Sequence, residues 1–194
     1  MSARVGDVSG VWEWLRSYRV KNDGSIIDNL MSNCDRSSFV AMGHSFGGGT
    51  AYTATGLEGC KAAVCFDPWL DAYKWSPDFK GWQVHGSKPV LFLTADKGFI
   101  SRGGGWRRQL EAVEEMEGNV RAVRFNGSDH IDVSDVPLCT PFRYDADGWF
   151  IENVYEAKEF LKGAGFEVEE GVEREIERRR EDKFQVMKTF QAPW

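Results

Sequence analysis

Apolar positions along this chain switch between two periods. Val5, Val8, Trp12 and Leu15 recur at steps of three and four, which predicts an amphipathic helix over residues 1–20 that ends at Asn22-Asp23-Gly24. Ile26, Ile27, Leu30 and Met31 predict a second, shorter helix. After the polar residues 33–38 the pattern becomes continuous: residues 39–42, 61–66 and 89–95 read as buried strands, and residues 120–125 as a more polar one. Between them, residues 50–56 are rich in small side chains, as a helix packed close to a sheet requires. Trp106, Leu110, Val113 and Met116 predict a helix that stops at Gly118-Asn119, and Phe150, Val154, Ala157 and Leu161 predict another. Nearly continuous apolar strands alternating with helices imply an α/β fold, a mostly parallel sheet with helices on both faces. Residues 167–183 are densely and mixedly charged and read as a solvated helix or tail. The expected division is a domain over 1–165 and a charged helical tail over 166–194.

Composition narrows the function classes. A chain of 194 residues with 42% hydrophobic content can bury one sizeable core, and a formal charge of −6 argues against nucleic acid as a partner. The cysteines, Cys34, Cys60, Cys65 and Cys139, lack paired C-x-x-C spacing and read as reduced, packed thiols. No apolar run is long enough to span a bilayer. Residues 1–20 carry Arg4, Asp7, Glu13 and Arg16 and lack the apolar core of a signal peptide, so the expected compartment is cytoplasmic if Met1 is the true start.

The chemistry centres on Gly43-His44-Ser45-Phe46-Gly47, a G-x-S-x-G element between a strand and a helix. A sharp strand-to-helix turn would hold Ser45 in a strained conformation at the carboxyl end of its strand, with glycines at both flanks because side chains there would strike backbone. The N–H of Phe46, at the start of the helix, is the candidate oxyanion donor. The stretch also approaches a phosphate-binding loop, but Gly49 stands where that loop needs its lysine. A serine nucleophile needs a base. His44 is adjacent in the elbow and cannot turn back onto the hydroxyl, and His85 precedes a strand, which leaves His130 after the last strand. The order serine, acid, histidine is that of the α/β-hydrolases. Two acids compete, Asp67 after the next strand and Asp96 after the one beyond it, and periodicity does not choose between them. Ser45, Asp67, Asp96 and His130 are all expected just past strand ends, on the edge of a parallel sheet where active sites lie.

The set formed by Gly43-His44-Ser45-Phe46-Gly47-Gly48, residues 60–69 ending in Phe66-Asp67-Pro68-Trp69, the Pro89-led strand and Gly127-Ser128-Asp129-His130 resembles the platelet-activating factor acetylhydrolase family, over residues 4–136. The resemblance implies Asp67 as the triad acid with Ser45 and His130. It also implies a calcium-independent serine esterase that hydrolyses the sn-2 acetyl or short acyl ester of a phospholipid, with no cofactor. Asp129, His130, Asp132 and Asp135 cluster in sequence but do not read as a metal site. Trp69, Trp75, Trp82 and Phe99 in the post-strand loops suggest contact with a membrane or lipoprotein surface. Family members carry additional strands and a second oxyanion donor ahead of the matched region. The chain is therefore expected to be the carboxyl-terminal part of such an enzyme, lacking the early strands, open to pairing with an amino-terminal half, and weakly active or inactive alone.

Overall fold

The uninterrupted apolar runs become strands; the two inside the sheet are covered on both faces, the arrangement that buries such residues, while the first run, at the sheet edge, leaves Met42 exposed. In the computed structural model, which describes residues 2–70, 88–97, 113, 116, 118–133, 146–167 and 186–191, four strands lie side by side in chain order and all parallel: β1 (Phe39–His44), β2 (Cys60–Phe66), β3 (Val90–Lys97) and β4 (Val120–Asp129). A fifth, β5 (Val186–Gln191), pairs antiparallel with β4. The helices are α1 (Ser2–Ser17), α2 (Ile26–Asn33), α3 (Phe46–Ala54) and α4 (Ala146–Gly163).

Parallel strands laid down in chain order need crossovers of one hand, so their connections return along one face. Accordingly α3, between β1 and β2, shares a core cluster with Val113 and Met116 from the connection between β3 and β4, packed on Ala63, Cys65, Phe92 and Ala122. Alternate residues of the same strands, Val64, Leu91, Leu93 and Val123, point the other way and are covered by Ala157 and Phe160 of α4. This is an α/β fold with a mostly parallel sheet and helices on both faces.

The first helix keeps the expected stripe: Trp12 is buried, with its ring 4.6 Å from that of Phe39, and Val8 packs on the core. The second does not. It buries Asp28 and Met31 and leaves Ile26, Ile27 and Leu30 exposed. The carboxylate of Asp28 gathers the donors of the turn after α1, accepting from Tyr18 Oη at 2.9 Å and from the N–H groups of Lys21 at 2.9 Å and Asp23 at 3.0 Å. That bonding sets the rotation of α2 more strongly than its apolar residues do. In α4, Phe150 is likewise exposed while Glu152 and Glu156 are buried, the latter bonded to Arg121 at 2.7 Å.

Gly165, with φ 87°, closes α4 in a left-handed cap, and Phe166 beyond it packs against the α4-covered face of the sheet. Residues 186–191, placed by sequence in a helical tail, form β5, because the outer edge of β4 offers a row of backbone groups that a strand satisfies. Residues 168–185, with most of the charge-dense stretch, lie outside the described residues.

Candidate active site

The elbow follows from the sequence at residue 45. Ser45 has φ 59° and ψ −121°, a region that side chains rarely occupy. Its N–H donates to the Phe66 carbonyl at 3.0 Å, which extends the β1–β2 ladder, and its carbonyl accepts from Gly48 at 3.1 Å, Gly49 at 3.3 Å and Trp69 at 2.8 Å. Serine at a helix N-cap ordinarily bonds back to the first turn, yet the Ser45 side chain makes no cap bond. Phe46 opens α3, so its N–H belongs to the group that no carbonyl of its own helix can satisfy.

The glycines act differently from the expectation. A Cβ on Gly43 would lie 2.2 Å from the Gly47 carbonyl oxygen, so this flank does require glycine. On Gly47 a Cβ meets nothing within 4 Å among the described residues, and the second crowded position is Gly48, where it would lie 2.9 Å from Pro68 Cβ. The third glycine therefore lets α3 approach the turn that carries the acid.

That turn begins with Asp67, which has φ 34° and is buried. Its N–H donates to the Leu93 carbonyl at 2.6 Å, and its Oδ1 accepts from the N–H of Ala95 at 3.1 Å. The other oxygen, Oδ2, lies 2.5 Å from Nδ1 of His130. A carboxylate only accepts, so Nδ1 carries the proton and Nε2 is the nitrogen left for proton exchange. His130 follows β4 directly. Its N–H donates to Asp129 Oδ1 at 2.7 Å, and Asp132 Oδ2 accepts from the N–H of Asp129 at 2.6 Å.

The structure thus joins Asp67 to His130 and brings both to the elbow. No hydrogen bond joins the Ser45 hydroxyl to the His130 ring among the described residues. The link runs through His44, whose Nε2 lies 2.6 Å from the His130 carbonyl and whose ring centroid is 4.4 Å from that of His130. Sequence reasoning set His44 aside as a base and did not see this second use; an imidazole directly before the elbow serine was the available signal. Burial, reinforced by the neighbouring His130, pushes His44 below its ordinary value, against the opposing pull of the bond to the His130 carbonyl and of Asp67.

Asp96 is not past a strand end as expected. It lies within β3, in the stretch between Ala95 and Lys97 where the register with β4 shifts. Among the described residues no group of three His, Cys, Asp or Glu is arranged to hold a metal ion. Asp135, His85, Trp75, Trp82 and Phe99 lie outside the described residues. No helix among the described residues is long and apolar enough to cross a membrane. A cleft of about 570 Å³ between α1, β1 and α3 touches the elbow at Phe46 and Gly47, but Ser45, Asp67 and His130 do not line it.

Among solved structures, the ferulic acid esterase from Streptomyces cinnamoneus superposes with a TM-score of 0.59 at 19% identity, covering 96% of this chain and 54% of that one. Est1E from Butyrivibrio proteoclasticus aligns with a TM-score of 0.39 at 15% identity, over 66% of this chain and 69% of that one. The first likeness identifies the sheet and its helices as the α/β-hydrolase fold, and this chain spans about half the length of that relative. A search of the curated proteins finds no match. The family model for platelet-activating factor acetylhydrolase, isoform II, matches residues 17–144, which include the elbow, Asp67 and His130. With more than half of its length matched by that model, the chain belongs to the platelet-activating factor acetylhydrolase, isoform II, family.

Proposed function

We propose that this chain carries the catalytic machinery of a serine carboxylesterase, with Ser45 as nucleophile, His130 as general base and Asp67 as the acid that orients it. The observation that carries the reading is the contact of Asp67 Oδ2 with His130 Nδ1 at 2.5 Å, beside an elbow that holds Ser45 at φ 59°. Ser45 Oγ attacks the ester carbonyl while His130 Nε2 takes its proton, and Asp67 stabilises the imidazolium. Oxyanion charge meets the N–H of Phe46. Collapse of the tetrahedral species expels the alkoxide, which His130 protonates. Water, activated by the same imidazole, then releases the acyl group from Ser45. The serine–histidine contact tightens when substrate binds, as catalytic bonds commonly do.

The substrate proposed is a phospholipid bearing an acetyl or short acyl ester at sn-2, in keeping with the family to which the chain belongs. The proposed partner surface is a membrane or lipoprotein that presents this lipid. A segment that completes the sheet along the edge at β1 and contributes the second oxyanion donor belongs to the same proposal, since this fold takes that donor from a loop after an earlier strand. Without it, the rate falls on the order of a hundredfold or more.

The test is a fluorophosphonate probe applied to the folded chain and to Ser45→Ala, followed by hydrolysis of a short-chain nitrophenyl ester and of a 2-acetyl phospholipid. Labelling of the wild type alone supports the esterase, and preference for the phospholipid supports the substrate. A folded wild type that takes no label rejects the reading.

A further inference from the structure

The base is held at more points than a proton shuttle needs. Its ring is tied to Asp67, its N–H to Asp129 Oδ1 at 2.7 Å, and its carbonyl lies 2.6 Å from Nε2 of His44. A carbonyl oxygen only accepts, so the His44 nitrogen facing it carries a proton, which places neutral His44 in the Nε2–H form. His44 ends β1, where it pairs with Phe66 on the neighbouring strand, so its backbone is fixed by the sheet. The residue before the nucleophile therefore reaches back to fix the segment that bears the base.

We propose that His44 is a positioning residue that sets the distance between the His130 imidazole and the elbow by donating its Nε2–H to the His130 carbonyl. The proposal rests on the role of His130 given above. It goes beyond that role because it assigns work to a side chain that the reaction scheme leaves unused. Without the bond, His130 would lose the tie that reaches it from the end of β1. Displacement of a catalytic group by about 1 Å costs on the order of a hundredfold in rate. The ring contact adds a requirement for neutrality: with centroids 4.4 Å apart, a charged His44 would oppose the charge that His130 must take up when it accepts the serine proton.

The test compares the full chain with His44→Phe, which keeps a ring but no donor, and with His44→Gln, which restores an N–H near the same point. In the wild type, imidazole nitrogen NMR should show His44 neutral and protonated at Nε2 at pH 7. The low-field proton shared by His130 Nδ1 and Asp67 should persist in His44→Gln and broaden or vanish in His44→Phe. For a nitrophenyl ester, His44→Phe should lower kcat by about 10- to 100-fold with KM little changed, and His44→Gln should recover most of the loss. Unchanged kcat in a folded His44→Phe, equal defects in both variants, or His44 protonated at Nδ1 would overturn the proposal. If the wild type neither hydrolyses ester nor takes a fluorophosphonate, the esterase reading fails, while the NMR comparison still decides whether His44 positions His130.

Discussion

Ala95 donates its main-chain N–H to Oδ1 of Asp67 at 3.1 Å, so the residue directly before the competing acid, Asp96, helps to hold the other one in place. Both oxygens of Asp67 are then occupied, one by the neighbouring strand and one by His130.

This arrangement separates the two acids experimentally. Asp67→Asn removes the charge that stabilises the imidazolium and presents an amide where His130 needs an acceptor, and kcat should fall by about 10⁴-fold. Asp96→Asn should cost far less. Steady-state kinetics on a nitrophenyl ester decide, and the reverse ranking would return the acid role to Asp96.

The glycines of the elbow should part company in stability. Gly43→Ala forces a Cβ to within 2.2 Å of the Gly47 carbonyl oxygen, which backbone must move to relieve, and should destabilise by more than about 3 kcal/mol or prevent folding. Gly47→Ala adds a methyl group that meets nothing within 4 Å among the described residues, inside a helix, and should be neutral or stabilising by up to about 1 kcal/mol. Urea midpoints for the soluble variants measure the difference.

The strands and the elbow were legible because their signals are local: runs of apolar residues, and glycines at a fixed spacing around a serine. What stayed hidden depended on side chains meeting across the fold. A buried carboxylate such as Asp28 leaves no trace in hydrophobic periodicity, so the apolar pattern that marks α2 does not reveal that Ile26, Ile27 and Leu30 are exposed. Periodicity did not choose between Asp67 and Asp96, because the contact of Asp67 with His130 joins residues 63 apart in the chain, and β3 proved longer than its apolar run. The strand β5 was masked by the charged stretch before it, since pairing to an edge rewards backbone groups whatever the flanking composition.

Asp28 should make the junction of α1 and α2 sensitive to acid. Burial works to raise its carboxyl, but the N–H donors of Lys21 and Asp23 and the hydroxyl of Tyr18 outweigh it and hold the group below the ordinary carboxylate range. A depressed folded value stabilises the fold above the unfolded value, and that contribution is lost as pH falls through the folded value. Asp28→Asn should therefore be less stable than wild type at pH 7, with the gap closing as the pH is taken below 4. Thermal melts across that range test the sign.

Lys88 closes the far end of α3. Its Nζ donates to the carbonyls of Thr55 at 2.6 Å and Leu57 at 2.9 Å, just where the helix runs out of its own donors. Lys88→Met keeps the aliphatic stem and removes both bonds, and should cost about 1.5–3 kcal/mol in urea unfolding with little effect on the elbow.

The serine at φ 59° implies a trade between durability and reactivity. Glycine would occupy that geometry without penalty, so Ser45→Gly should raise the unfolding free energy by about 1 kcal/mol while abolishing covalent labelling. The tension is borne by the bonds from Phe66, Gly48 and Trp69, and whatever slackens them lets the hydroxyl drift before the sheet comes apart. On gradual denaturation, probe reactivity should therefore vanish ahead of the circular dichroism signal, so that a sample can look folded by spectroscopy and already be chemically silent.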